Sequence, residues 1–262
     1  MERAGRSDGV GSRHRSWVQS LVAALLLCAP VVSAQATTQL WANVTINWVA
    51  SERLVYELDF EPKVLLDAPE GEPDWRNLDV TPNVEYSPTS WLDIVADTTI
   101  GRTKQTGDVD STEVTPRLGV RFHLFSRALR FHPREKAPLR RIVVRELVRV
   151  ESRNFFYSGG EPASESTFRF RNRLEFLLPL NKERITDDGA QYWLADWEWF
   201  APLDDPEERF ANRQRIRTGI GYRRSFNWRY ELLYIWTRSR DTIENRFSTT
   251  ENIVDIRVKR LF

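Results

Sequence analysis

The sequence predicts an all-β protein, an antiparallel up-and-down transmembrane β-barrel of twelve strands, with ten as the alternative count. Three observations carry this expectation. Stretches of roughly ten residues alternate between apolar and polar side chains, the period-two mark of strands with one greasy and one wet face. The wet faces are dense in charge and the greasy faces rich in aromatics, with 10 Trp, 14 Phe and 7 Tyr against one Met, which suits a wall between lipid and water with aromatic girdles at its rims. The chain beyond residue 34 also holds no run of about eighteen apolar residues, so any membrane crossing falls to strands. A mean hydropathy of −0.49 looks soluble, but a barrel wall averages its lipid-facing and lumen-facing positions to such a value. A soluble sandwich alternates too; the charge density of one face and the aromatic load of the other argue against it.

The first 34 residues read as an export signal. Arg3, Arg6, Arg13 and Arg15 precede an apolar core from Leu21 to Val32, and Val32-Ser33-Ala34 form a small-residue cleavage site. The core is short for a retained helical anchor. Cys28 lies within it behind Leu27, which is too large for a lipoprotein signal, so a mature chain starting at Gln35 has no cysteine and suits an oxidising compartment. Residues 35–262 are expected to form one barrel.

Even-numbered positions mostly face out. The first run sends Leu40, Ala42, Val44, Ile46 and Trp48 outward, and the second sends Leu54, Tyr56, Leu58 and Phe60 outward against Glu57, Asp59 and Glu61. A Pro- and Gly-bearing loop from Pro62 to Asp74 follows. The third run sets Leu78, Val80, Val84 and Tyr86 against Asn77, Asp79, Asn83 and Glu85, and turns at Ser87 to Ser90. The fourth sets Leu92, Ile94, Ala96 and Ile100 against Asp93 and Asp97; the fifth sets Val114, Leu118, Val120, Phe122 and Leu124 against Glu113, Arg117, Arg121 and His123. After a basic connection (126–140), the runs at 141–157 and 167–180 carry Arg145, Arg149, Arg153, Arg169, Arg171 and Arg173 inward. The eighth run shifts phase, with Trp193, Trp197 and Trp199 outward and Tyr192, Asp196 and Glu198 inward, because loop length is free to change parity. An acidic loop (204–208) leads to a ninth run with Arg213, Arg215 and Arg217 inward; a tight turn at Ser225-Phe226-Asn227 gives a tenth with Trp228, Tyr230, Leu232, Tyr234 and Trp236 outward. With the last run this makes eleven, and because single-chain bacterial barrels use even numbers, the expectation is twelve or ten.

The last run, Asn252 to Phe262, places Val254, Ile256, Val258 and the terminal Phe262 on one face and Asp255, Arg257 and Lys259 on the other. Arg260 departs from the apolar face, near enough to the end to snorkel. Such an ending resembles the recognition signal of Gram-negative outer-membrane barrels. The resemblance implies closure of the last strand against the first, residence in outer-membrane lipid, and handling by periplasmic chaperones and the barrel-assembly machinery. Stretches such as Leu40-Trp41-Ala42-Asn43-Val44-Thr45, Tyr56-Glu57-Leu58-Asp59-Phe60-Glu61-Pro62-Lys63, Phe168-Arg169-Phe170-Arg171-Asn172-Arg173-Leu174-Glu175 and Phe210-Ala211-Asn212-Arg213-Gln214-Arg215-Ile216-Arg217 resemble a bacterial outer-membrane barrel family catalogued as a domain of unknown function (number 2490). That resemblance implies fold and location, and no activity.

Enzyme chemistry is not expected. Only His123 and His132 follow the signal, too few for a His-based metal centre or a hydrolytic triad, and the spacing of His123 to Ser126 fails the one-face pattern of outer-membrane phospholipases. The reading of His123 is a rim or lumen residue with a structural hydrogen bond. No cofactor is implied, and a net charge of +1 gives the whole chain no preference for nucleic acid. The acidic loop lacks EF-hand spacing.

The informative feature is the lumen charge, acidic on the second to fourth runs and arginine-rich on the fifth to seventh and the ninth. Arginines outward at mid-membrane would cost about 2–4 kcal/mol each, so the ladders must face water or carboxylates. Two readings follow. In one, Asp196 and Glu198 pair with the arginines in a closed, salt-bridge-filled barrel of structural or assembly role. In the other, Arg145, Arg149, Arg153, Arg169, Arg171, Arg173, Arg213, Arg215 and Arg217 line a narrow porin-like passage for small polar or anionic solutes of unknown identity.

Overall fold

In the computed structural model of the chain, eleven β-strands close on one another, in the order β1-β11-β10-β9-β8-β7-β6-β5-β4-β3-β2. The structure describes residues 36–67, 69–71, 73–106, 109–124, 142–159, 163–204, 212–240 and 246–262. The export signal, the basic connection 126–140 with Ser126 and His132, and residues 205–208 of the acidic loop lie outside them. The strands are β1 (Thr37–Ser51), β2 (Leu54–Asp67), β3 (Trp75–Tyr86), β4 (Leu92–Gln105), β5 (Ser111–His123), β6 (Val143–Tyr157), β7 (Ser164–Pro179), β8 (Ala190–Pro202), β9 (Arg213–Ser225), β10 (Trp228–Ser239) and β11 (Ser248–Leu261).

The expected count of twelve or ten is corrected to eleven. Sequence neighbours pair antiparallel throughout, and an odd number then leaves the first and last strands pointing the same way. The closing pair is therefore parallel, with Thr37 to Asn47 aligned on Glu251 to Leu261. Parallel pairing satisfies the backbone groups of both edges, so an even count is not a condition of closure.

Alternation decides the faces. Val44, Ile46, Leu78, Ile100, Leu118, Val150, Ile216, Leu232, Val254 and Ile256 are exposed on the outer surface. Odd-numbered charged residues are buried in the lumen, and on β8 the parity inverts: Tyr192, Asp196 and Glu198 are buried while Trp197 is exposed. Aromatics gather near both ends of the strands, Trp48, Tyr56, Tyr86 and Phe262 at one and Phe156 and Phe168 at the other.

One expected boundary moves. Pro62 does not start a loop, because β2 continues to Asp67. Proline lacks an N–H, so it fits a strand only where the ladder can spare a donor. The β1–β2 ladder skips the pairs at Pro62, the β3–β4 ladder those at Pro82 and the β5–β6 ladder those at Pro116.

At the end bearing the two-residue turns Glu52-Arg53 and Phe226-Asn227, inward Leu177, Tyr192, Leu194 and Leu233 form an apolar plug, with Val143 and Ile185 packed against it. The Tyr192 hydroxyl donates to Glu231 Oε1 at 2.6 Å, and its ring lies against Gly221, its partner across the β8–β9 ladder. A Cβ at Gly221 would stand 2.1 Å from Tyr192 Cζ. Gly221→Ala is accordingly expected to destabilise the barrel by about 1–3 kcal/mol through overpacking, read as a lower urea midpoint of the folded protein.

Candidate functional site

Inside the barrel is a cavity of about 760 Å³ to which all eleven strands contribute side chains. At roughly 30 Å³ per molecule it has room for on the order of 25 waters. Its lining reaches from Trp75, Gln105 and Arg153 near one end of their strands to Asn47, Glu57 and Lys259 near the other. The plug stands on the β7–β10 side at the latter end, where Glu85, Arg145, Glu175, Arg229 and Glu231 still line the cavity beside Asn47, Glu57 and Lys259.

All nine ladder arginines line the cavity, whereas Asp196 and Glu198 stand behind them in the wall, 4% and 0% exposed. Register explains the arrangement. On β7, Arg171 and Arg173 lie beside Phe200 and Glu198 of β8, and Glu198 and Asp196 lie beside Arg215 and Arg217 of β9. The two carboxylates thus sit between the β7 and β9 ladders. Arg171 Nε donates to Glu198, and Arg171 Nη1 to Glu151 Oε1 at 3.0 Å. Arg217 Nε lies 2.8 Å from Asp196 Oδ1 and its Nη2 3.6 Å from Glu198 Oε2. Arg215 reaches Glu198 only at 3.6 Å and lies between the Trp41 and Phe200 rings, 5.3 Å and 5.5 Å from their centroids. Arg145 pairs with Glu175, Arg153 with Glu113 at 2.8 Å, and Arg213 with Glu251 at 2.7 Å.

Acidic residues of β2 to β4 and arginines of β5 to β7 and β9 line the cavity together. Carboxylates run through the arginine side as well, and Glu151 on β6, 1% exposed, is the central one, contacted by Arg149, Arg169 and Arg171. On the acidic side, Asp97 is held by Arg117 and Arg149, and Glu85 by Arg121. Ionised pairs of this kind are tolerable in a buried wall because each charge keeps hydrogen-bonded partners. Glu151 and Glu231 were missed as lumen partners, although their odd numbering on even-outward strands marks them as inward, and Asp255 and Arg257 of the wet face of β11 pair with each other. Arg173 behaves differently from its neighbours, with no carboxylate oxygen within 4 Å. Glu175, two residues on along the same face, holds Arg145 of β6.

His123 is buried at the rim, where its Nε2 meets Asp93. The Ser87 hydroxyl donates to the other oxygen of Asp93 at 2.6 Å. The carboxylate therefore stands between the hydroxyl and the imidazole, whereas nucleophilic activation needs the imidazole between them. Among the described residues no group of three or more His, Cys, Asp and Glu side chains could hold a metal ion.

On the outer face, Arg260 stacks over Phe262 and Trp228, with its guanidinium carbon 4.3 Å and 4.9 Å from the ring centroids. The charge that interrupts the apolar face of β11 thus stays exposed while resting on the aromatic rings at the strand end.

The profile of a family described as "Protein of unknown function (DUF2490)" matches residues 38–248, from the first strand to the start of the last. No curated protein matches the chain. No solved structure matches it.

Proposed function

Since the chain belongs to the DUF2490 family, whose description carries no activity, we propose from the geometry that it is an outer-membrane barrel of a Gram-negative bacterium whose lumen passes small polar solutes. The carrying observation is the cavity: a barrel with only a structural task has no need of some 760 Å³ of charged, unfilled lumen. Its distribution of side chains supports the membrane setting. A water-soluble barrel keeps its apolar residues inside, whereas this one exposes aliphatic residues on the outside, aromatics near both ends, and buries charge within. No helix of the described residues is long and apolar enough to cross a membrane, which leaves strands as the crossing elements. In this setting the signal would be cleaved after Ala34, and outer-membrane lipid, periplasmic chaperones and the barrel-assembly machinery would be the partners. The role is passage and not catalysis.

The ladders support passage of polar solutes more than of anions as such, because eight of the nine arginines already face carboxylates. Purified, folded protein in planar bilayers is expected to show a stable unit conductance with weak preference between anions and cations. A silent bilayer from demonstrably folded protein would defeat this reading. It would favour the second one, a closed barrel with a structural or assembly role, for which the apolar plug and the dense ion pairs speak.

A further inference from the structure

Most of the charge facing the cavity is internally balanced, and what is left over has a pattern. Fifteen arginines and lysines and ten aspartates and glutamates line it. Several of the cations are matched by carboxylates buried behind them, Glu151, Asp196, Glu198 and Asp255. Among the described residues, four lining charges have no opposite charge within 4 Å: Glu57 and Asp59 on β2, Arg173 on β7 and Lys259 on β11. Glu57 accepts only a 3.4 Å bond from Asn83, and Asp59 accepts from Thr45. Arg173 Nε is buried without a hydrogen-bond partner.

Topology separates the unspent charges by sign. Glu57 and Asp59 are successive inward positions on one strand. In the closed strand order, β7 lies five strands from both β1 and β2, so Arg173 enters the lumen from the side opposite the two carboxylates. On the near side, Thr45 of β1 is the register partner of both Asp59 and Lys259. Lys259 is thus two strand spacings, roughly 10 Å backbone to backbone, from Asp59, is not ion-paired with it in the structure, and is close enough for one small solute to touch both. The set is two negative and two positive charges, with a cation on each side of the carboxylates. A solute of one sign would satisfy half of them and be repelled by the other half.

We infer that the lumen selects small zwitterions, solutes with an ammonium and a carboxylate group such as amino acids and dipeptides. The ammonium group is taken by Glu57 and Asp59, and the carboxylate by Lys259 on the near side or Arg173 on the far side. The paired arginines hold the wall; the unpaired four read the solute. This rests on the lumen being open, the reading proposed above.

The test is osmotic swelling of proteoliposomes carrying the full mature protein, with each variant checked as folded by heat-modifiability on gels. Isosmotic glycine and glycylglycine are compared with sodium glycolate, ethanolamine hydrochloride and the uncharged sugar arabinose. Glycine should enter about tenfold faster than either singly charged solute, the low end of what charge-lined clefts do to local concentration. Asp59→Asn and Arg173→Gln should each bring glycine down toward the charged solutes while leaving arabinose entry unchanged. Equal entry of glycine and glycolate in the wild type, or an advantage of glycine that survives both substitutions, overturns the zwitterion assignment while arabinose entry keeps the passage. If arabinose is excluded as well, the passage itself fails and the assignment falls with it.

Discussion

Arg171→Leu is expected to lower the stability of the folded barrel by about 3 kcal/mol or more, the range found when one partner of a buried ion pair is removed. Arg171 is 8% exposed and bridges two carboxylates that have no access to solvent to speak of, Glu151 on one neighbouring strand and Glu198 on the other. Glu151 would keep Arg149 and Arg169. Glu198 would keep only Arg215 and Arg217, both at 3.6 Å, and its Oε2 already has no hydrogen-bond partner. The loss therefore falls on Glu198, and the double variant Arg171→Leu with Glu198→Gln should recover part of it, since removing both charges avoids the stranded carboxylate. Arg173→Leu, two residues along the same strand face, is the control. That side chain holds no carboxylate, and its loss should change stability by less than about 1 kcal/mol. Urea titrations of the three variants, followed by heat-modifiability, check the set. Equal midpoints for Arg171→Leu and Arg173→Leu would show that the ladder is not the fastening it is taken to be.

Deleting Phe262 is expected to lower the folding equilibrium constant by about tenfold, with a matching loss of assembled barrel where closure is marginal. The residue ends the seam that closes the barrel. Its N–H donates to Asn47 O at 2.9 Å and its carbonyl accepts from Val49 N–H at 3.4 Å, so the last bonds between the first and last strands run through it. Two backbone hydrogen bonds at about 0.5–1.5 kcal/mol each already correspond to a tenfold shift. The deletion also removes the ring on which Arg260 stacks and exposes the end of an unpaired strand edge. Phe262→Tyr keeps the backbone and the ring and should assemble normally, whereas polar replacements at Val254, Ile256 and Val258 should reproduce the defect. Normal folding of the deletion would mean that the seam nucleates elsewhere along its length.

Several parts of this molecule could be read without coordinates. Side-chain direction in a strand has period two and needs no partner, so the inward and outward sets were legible residue by residue, including the inverted parity of β8 with Tyr192, Asp196 and Glu198 inside. The arginines' position on the lumen side followed from the same rule, as did the closing role of the last strand. The parallel seam was not legible, because eleven alternating runs carry no mark of how the first and last meet, and the habit of even counts pointed elsewhere. The division of the lumen charges was not legible either. Arg171 and Arg173 have the same residue type, strand and face, yet one is clamped between Glu151 and Glu198 and the other holds no carboxylate. That difference depends on register, which brings residues such as Arg171 and Glu198, 27 positions apart, to a definite height on neighbouring strands. Alternation is a local property and says which wall a charge is on; only the closed sheet, by setting the stagger of each strand against the next, decides which charges meet and which are left facing the cavity.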